Sequence, residues 1–511
     1  MADINIPPQR NSICQKSEEN NLLGCTFLWH GHLAIIWCFA YTCAMHHWKF
    51  FFVTFGCKVN QYETQALREA WSALGGEECS VPGLADVLCI NSCAITAKGE
   101  RDARNAVYRL RRETPEGRII LTGCSARLFA EYTPRANAIW AKPDLIVPQE
   151  EKYRLLAGPW VDMEDVPMEG NTSVTAFPPF RIAGFTRARP VLKVQDGCAH
   201  RCTYCIVPQT RGKPCSRPVR DIIDEARHLL ASGHAELMVS GINLAQYGRD
   251  SDTGDFWSLL RSLDKALASD FAGKARLRIS SLEPGQLHRR GLDALLSCSM
   301  LCPHLHISLQ HASQTILKRM GRGHYTPMQL ETALTELADH WPVMGLGVDI
   351  IVGFPGETED DLHMLLELVE RLPLSYAHVF PYSARPGTAA ATFGGQIPHA
   401  VKLQRAARVR KLVEEKKRHF LKAQCSLPRM LIACETSSHM VKSTVEAHDL
   451  SSSEDIRVLR GVNEYYAPCS MYIPQGAAMG TPLRQGLMAV RPMSWHAQGL
   501  TVEPLGEQEV T

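Results

Sequence analysis

The chain has 511 residues, 45% of them hydrophobic and 21% charged, with a formal net charge of +2. That length exceeds what one hydrophobic core organises, so several domains are expected, and the composition excludes wholesale disorder. A near-neutral balance gives no global nucleic-acid signature, so any RNA contact must come from local clusters.

Eighteen cysteines raise the question of a disulfide scaffold, but such scaffolds are short and cysteine-dense throughout. Here the informative cysteines stand beside glycines at the ends of strand-like runs, which points to metal or cluster ligation in a reducing, cytoplasmic compartment. No apolar run reaches the roughly 18 residues that a membrane-spanning helix needs. Leu33–Ala44 is apolar but short, and no basic residue lies between it and Lys16, so it makes a poor signal peptide. Met45 opens the run His46-His47-Trp48-Lys49 just before the first convincing strand, and residues 1–44 read as a non-native upstream extension.

From Lys49 a strand, a loop and a helix alternate. Phe50–Phe55 reads as a buried strand, followed by Gly56-Cys57 and a helical periodicity over Gln61–Leu74. Asp86–Asn91 repeats the theme, ending at Ser92-Cys93 with a charged helix over Lys98–Arg112, and Arg118–Thr122 ends at Gly123-Cys124. In an open parallel sheet such loops emerge at the carboxyl edge, where ligands bind, so Cys57, Cys93 and Cys124 are expected to converge. Pro143–Phe185 is proline-rich and reads as a connector.

From Pro190 a second series begins. Candidate strands are Val191–Gln195, Glu236–Ser240, Arg276–Ser280, His304–Ser308, Gly347–Val352 and Ala377–Pro381, separated by helices such as Val219–Ala231 and Glu359–Arg371. Such a series suggests a partial (β/α)6 barrel, open where eight units would close. Lys402–Lys422 is a basic helix; residues 401–425 hold nine Lys/Arg against two Glu, and both phosphate tracking and an ordinary solvated face fit it. After Cys425 come short β-like pieces, Met440–Ala447, Met471–Pro474 and Leu500–Val502, which suit a small β-barrel. The fold class expected is therefore α/β: an N-terminal open parallel α/β domain over 45–160, a central partial barrel over 184–423 and a small C-terminal β-barrel over 424–511.

The sharpest local signal is Gly197-Cys198-Ala199-His200-Arg201-Cys202-Thr203-Tyr204-Cys205, directly after a strand. Three thiolates so spaced can ligate three irons of a cubane cluster and leave the fourth open, as a catalytic metal site does. A zinc site with His200 as fourth ligand is the competing reading, although zinc ligand pairs are usually spaced differently. For Cys57, Cys93 and Cys124 alone, ligation and plain buried free cysteine fit equally well.

With Tyr204 before its last cysteine, this motif resembles the radical S-adenosylmethionine superfamily. Phe55-Gly56-Cys57-Lys58-Val59-Asn60-Gln61, Asn91-Ser92-Cys93-Ala94 and Thr122-Gly123-Cys124 resemble the amino-terminal domain of the methylthiotransferases. So do Ser240-Gly241-Ile242-Asn243, Ser280-Ser281-Leu282-Glu283-Pro284, Leu305–Gln310, Asp349–Glu357 and Phe380–Thr388; together the likeness covers 49–420. It implies two 4Fe-4S clusters and S-adenosylmethionine as cofactors. Cys198, Cys202 and Cys205 would hold the radical-generating cluster, and Cys57, Cys93 and Cys124 the cluster from which sulfur is delivered. Tyr204, Gly241, Asn243, Glu283 and Gln310 become candidates for cofactor contact, though each also fits a cap or turn role.

The resemblance further implies tRNA as partner, with a low-potential electron donor, a sulfur or cluster-assembly donor and no membrane. The tail would be a TRAM-like RNA-binding barrel, in which the tyrosines of Arg460–Pro468 either stack on bases or fill the barrel core. Cys57-Lys58-Val59-Asn60-Gln61-Tyr62-Glu63 resembles the subgroup that methylthiolates N6-threonylcarbamoyladenosine beside the anticodon. The alternatives are the isopentenyladenosine subgroup, which typically has Gln-Met-Asn after the first cysteine, and a non-catalytic iron–sulfur RNA-binding protein.

Overall fold

A computed structural model describes residues 47–130, 142–161, 177–252, 254–435, 439–441, 456–474 and 486–505. The extension expected over 1–44 lies outside them, as does most of the piece Met440–Ala447.

Strands β1 (Trp48–Thr54), β2 (Gly76–Glu78), β3 (Val87–Ser92), β4 (Arg118–Gly123) and β5 (Leu145–Ile146) form a fully parallel sheet in the order β2-β1-β3-β4-β5. The three cysteine loops leave β1, β3 and β4, which are neighbours, so the convergence read from the sequence follows from strand order. Helix Ala97–Glu113 starts at Thr96, whose side chain accepts from the Gly99 N–H, and carries Glu100 in its first turn and Arg111 and Arg112 in its last. That distribution suits both the orphan donors and the macrodipole.

The second series supplies β6 (Val191–Asp196), β7 (Cys215–Ser216), β8 (Glu236–Gly241), β9 (Arg276–Ile279), β10 (His304–Gln310), β11 (Gly345–Val352) and β12 (Tyr376–Pro381). β6, β8 and β9 pair in parallel, as do β10, β11 and β12. The two sets meet through single bridges, Leu277 with Leu301 and Leu282 with Ile307, so the partial barrel is real and hinged between β9 and β10. Its strands alternate with period two. Leu305, Ile307 and Leu309 join the apolar core, while His304 and His306 occupy the opposite face of β10. Four of the covering helices begin at side-chain caps, Asp255, Ser313, Thr326 and Thr358, the last two in capping boxes with Gln329 and Asp361.

One apolar core joins the first sheet to the barrel. Phe50, Tyr62, Leu67 and Trp71 pack in the same cluster as Leu192, Val194 and Leu229. Helix Lys58–Ala73 is the shared element: the Tyr62 hydroxyl donates to the Phe180 carbonyl at 2.8 Å, and the Trp71 indole N–H to that of Leu155 at 2.7 Å.

In the tail β13 (Met430–Cys434), β14 (His439–Val441), β15 (Ile456–Asn463), β16 (Pro468–Pro474), β17 (Met488–His496) and β18 (Gly499–Pro504) make a small barrel. The order β13-β17-β18-β16-β15 closes through β13 and β15, with β14 on the edge of β15.

The basic helix, His399–Gln424, engages part of its charge within the protein. Arg405 pairs with Glu357 at 2.7 Å, Arg408 with Glu359, and Arg410, Lys416 and Lys417 donate to the carbonyls of Val379, Glu370 and Ala497. These contacts fasten the helix to the barrel and, through Lys417, to the tail. Tyr466 neither fills the small barrel nor stands free for a base. Its ring lies 4.6 Å from that of His304 and 5.5 Å from that of Tyr376, with the Arg278 and Arg189 guanidiniums over its face. The loop that carries it plugs the amino-terminal end of the large barrel. Arg276 donates to the Leu431 and Val462 carbonyls, and Arg278 to those of Asn463 and Glu464, all at 2.8–2.9 Å. A Cβ on Gly345 would come within 2.1 Å of the Tyr465 carbonyl oxygen, so the close approach requires glycine.

Candidate functional site: two cysteine triads and the charges between them

Cys57 is exposed on its loop, and Cys93 and Cys124 are buried. Gly56 has φ +91°, and a Cβ there would sit 2.8 Å from the Cys93 Cβ and Sγ, so the first loop closes directly onto the second. Asn60 clamps both: its Nδ2 donates at 2.9 Å to the carbonyls of Phe55 and Ser92. Ser92 ties the third, its Oγ donating to the Thr122 carbonyl at 2.6 Å and its carbonyl accepting from the Cys124 N–H at 3.1 Å. The loops are fixed by backbone and side-chain bonds that need no metal.

Beside this triad lies a buried ionic network that the sequence reading missed. The Glu63 carboxylate accepts from Lys152 at 2.6 Å, Lys193 at 2.7 Å and Arg211 at 3.0 Å. Asp196 accepts from Lys193 at 2.6 Å and Arg211 at 2.9 Å, and from the Gly197 N–H at 2.8 Å. Burial would raise the pKa of Glu63, but the charges of Arg211, Lys152 and Lys193 outweigh it and hold the group well below the usual carboxylate range. The same contest, decided by Arg211 and Lys193, keeps Asp196 ionised. Three cations thus face two carboxylates. Arg211 also donates through Nε to the Cys124 Sγ at 3.2 Å and through Nη2 to the Asn60 Oδ1 at 2.6 Å. A surplus cation aimed at a thiol suits an anionic group at this triad.

Arg211 ends the short helix Val207–Arg211, which begins two residues after Cys205. The same side chain therefore joins the first triad to the loop of the second. Cys198 accepts from the His200 backbone N–H at 3.4 Å, from Gln246 Nε2 at 3.5 Å and from Asn243 Nδ2 at 3.7 Å. Arg322 approaches the Cys202 Sγ at 4.0 Å and pairs with Glu283. Burial, then the neighbouring Cys202 and Cys198, push the Cys205 thiol up to about 12, and burial pushes Cys93 up to about 11. Both thiols stay protonated near neutrality until something else compensates their charge.

Among the described residues, neither triad brings its three sulfurs within 4.8 Å of one another. A tetrahedral zinc site needs sulfur separations of about 3.8 Å, given its short bonds. His200 turns Nδ1 to Asn243 at 3.3 Å and its ring towards His324. The N–H donors aimed at sulfur suit an anionic, thiolate-ligated group at this triad.

The remaining candidates are spread around the second triad. Asn243 also accepts from the Ala245 N–H as a cap, and Glu283 caps the turn Pro284–Gln286. A Cβ on Gly241 would meet Leu244 and Gln195 at 2.9–3.0 Å. Gln310 ends β10 with φ +64°. Tyr204 packs against Phe354, ring centroids 6.4 Å apart, in a small apolar cluster with Ile316, Met320 and Tyr382. Asn243 is thus the member of this group with a direct contact to a cysteine. The missed residues had one visible signal, charge inside buried strands: Lys193 interrupts Val191-Leu192-Lys193-Val194, and Arg276 and Arg278 alternate with Leu277 and Ile279.

Residues 192–369 match the model of the radical SAM superfamily, and residues 49–139 match that of an uncharacterised protein family, UPF0004. The threonylcarbamoyladenosine tRNA methylthiotransferase MtaB of Aquifex aeolicus is 33% identical over 381 residues, 73% of this chain and 89% of the relative. MtaB of Bacillus subtilis is 34% identical, covering 70% and 78% of the two chains. The tRNA-2-methylthio-N(6)-dimethylallyladenosine synthase of Lawsonia intracellularis is 28% identical over 480 residues, 89% of this chain and 99% of the relative.

Proposed function

Since the chain belongs to the radical S-adenosylmethionine tRNA methylthiotransferase family, we propose that it converts N6-threonylcarbamoyladenosine beside the anticodon to its 2-methylthio derivative. It is an enzyme of that family, and S-adenosylmethionine and 4Fe-4S clusters are its cofactors. In this reading Cys198, Cys202 and Cys205 hold the radical-generating cluster, and Cys57, Cys93 and Cys124 hold the one that delivers sulfur. Tyr204, Gly241, Asn243, Glu283 and Gln310 surround S-adenosylmethionine.

The reading rests on Arg211, which touches Cys124 of one triad from a helix that starts beside Cys205 of the other. Two reactive centres that must meet one base need such a fixed separation. When bound, the cofactors supply one-electron radical chemistry. The chain's own residues do the rest. Asn243, Gln246 and Arg322 direct N–H groups at the sulfurs of the second triad, and Arg211 at the first; such donors stabilise the negative charge of thiolate-ligated iron and tune its potential. The shared core around helix Lys58–Ala73 keeps the two loops facing one substrate position.

For the modified base, Lys58 and Val59 after the first cysteine support threonylcarbamoyladenosine, as do relatives of that name at 33% and 34% identity. The Lawsonia relative, which matches over more of the chain, supports the dimethylallyl alternative. Among the described residues no helix is long and apolar enough to cross a membrane. The remaining elements of the reading are a cytoplasmic location, a low-potential electron donor, a sulfur or cluster-assembly donor, and working parts over 45–160, 184–423 and 424–511 with 1–44 dispensable. The test is mass analysis of tRNA nucleosides after anaerobic reaction of the reconstituted enzyme with tRNA bearing either modification. A 2-methylthio product from the threonylcarbamoyl substrate supports the reading; product from the isopentenyl substrate alone replaces it with the alternative.

A further inference from the structure

The inward faces of β10, β11 and β12 carry a polar group that neither triad uses. Asp349 Oδ1 lies 3.1 Å from His306 Nε2 and 3.1 Å from His378 Nδ1. The Tyr376 hydroxyl stands between His306 Nδ1, at 2.9 Å, and His304 Nε2, at 3.0 Å. The rings of His304, Tyr376, His306 and His378 form a ladder across the strands, with centroids 5.1–6.0 Å apart. Burial would raise the pKa of Asp349, but the two imidazoles hold it well below its usual range.

Three observations mark this group as a binding surface and not a closed structural network. The His378 side chain is 57% exposed, and neighbouring Phe380 is exposed too, so the lumen opens beside β12. His304 Nδ1 is buried with no hydrogen-bond partner, an orphan polar atom in this wall. The guanidiniums of Arg278 and Arg189 lie 5.1 and 5.2 Å from the Tyr466 ring, which itself stands 4.6 Å from that of His304, so positive charge borders this end of the lumen.

We propose that this lumen site binds the amino-acid substituent on N6 of the substrate adenosine, a urea-linked group carrying a carboxylate and a hydroxyl, with His378 as a specificity-determining contact. The inference rests on the threonylcarbamoyl reading above and deepens it. Methylthiolation occurs at C2, and N6 projects from the ring on the other side of N1. With C2 at the cysteine loops, which lie at the carboxyl ends of the strands, the N6 substituent extends down the lumen. His306 precedes Gln310, at the carboxyl end of β10, by four residues, about 13 Å of strand. That is the reach of a purine with an extended substituent. An isopentenyl group would instead leave imidazole, hydroxyl and carboxylate groups facing hydrocarbon, which is how polar sites reject apolar analogues.

The test uses the reconstituted full-length enzyme with anticodon stem-loop RNAs carrying threonylcarbamoyladenosine or its carboxamide analogue, which lacks the negative charge. Wild type is expected to lose about tenfold or more in KM with the carboxamide, the scale of a charge-assisted hydrogen bond. His378→Phe, which keeps a ring in the ladder, should show the raised KM with the natural substrate and little further loss with the carboxamide. His378→Gln, which retains a donor, should recover part of the difference. Iron content equal to wild type checks that each variant is folded, and a variant lacking iron is replaced by the other for the same comparison. Equal KM values across all combinations, with wild type active on the threonylcarbamoyl RNA, would overturn the lumen assignment alone. Product only from isopentenyl RNA would overturn the functional reading and this one with it. A stoichiometric non-cluster metal, lost in both variants, would assign the His306–Asp349–His378 group to a cation instead.

Discussion

Cys198, Cys202 and Cys205 lie in one loop, whereas Cys57, Cys93 and Cys124 come from three loops spread along the first sheet. The second triad is held by donors to its sulfurs, from Asn243, Gln246 and Arg322. The first is held by bonds between its loops, through Asn60 and Ser92, and by the charges around Glu63. A dispersed triad needs its loops tied to one another, whereas a local one needs its loop braced from outside. The first site is thus a property of the folded sheet, and the second a single loop met by donors from other elements of the barrel.

The largest expected effect separates the triads by chemistry. Cys202→Ala should abolish cleavage of S-adenosylmethionine and all product, while Cys93→Ala should keep measurable cleavage and form no methylthiolated nucleoside. Anaerobic assays following both products decide it, and full product from Cys93→Ala would break the division of labour. Next comes the network between them. Arg211→Met leaves Glu63 and Asp196 buried with fewer partners and should cost about 3–5 kcal/mol of stability. Thermal unfolding of the apo protein measures that directly. In reconstituted protein the iron lost first should be that of the first triad, and Arg211→Lys should rescue little, since an ammonium cannot reach Cys124, Asn60 and two carboxylates together.

Asn60→Ala sharpens the contrast further, since it leaves the Phe55 and Ser92 carbonyls without their side-chain donor. A cost of about 1–3 kcal/mol is expected, with metal uptake weakened at the first triad and unchanged at the second. Equal weakening at both would mean that the loops are not separately scaffolded.

How much of this was legible in sequence follows the same division. The Cys198 loop stands out in the sequence because its spacing is local. Strand ends were legible from apolar runs, and the convergence of the three cysteine loops from parallel-sheet logic, while the neighbouring order of β1, β3 and β4 comes from the structure. The charges were not. Glu63 and Lys152 are far in the chain from each other and from Lys193, Asp196 and Arg211, and nothing in the sequence pairs them. Only their position inside strands and helices that are otherwise apolar marks them, and pairing is decided by the third dimension. Tyr466 was misplaced for a related reason: an aromatic in a turn announces a partner but not which domain supplies it, and here His304 and Arg278 do.

The smallest expected effect concerns protons. In the apo protein Cys205 is pushed up to about 12 and Cys93 to about 11, so neither offers much thiolate at neutral pH. Against an ordinary thiol near 8.5, Cys93 should carry about three hundredfold less thiolate and be alkylated correspondingly slowly. Its rate should climb steadily with pH up to about 11. The carboxylates of the network behave in the opposite sense. Glu63 and Asp196 have folded pKa values held below their unfolded ones, so their contribution to stability is fully present above the unfolded values, near 4. It is lost as pH falls through the depressed folded values. Between pH 8 and 6 the network should therefore add no slope to apo-protein melting temperature, while a decline should set in below about pH 4. Glu63→Gln should be less stable at neutral pH and show a shallower acid decline. A steep loss of stability between pH 7 and 5 that vanishes in Glu63→Gln would mean the carboxylate protonates at ordinary values and that the cations around it do not hold it as the distances require.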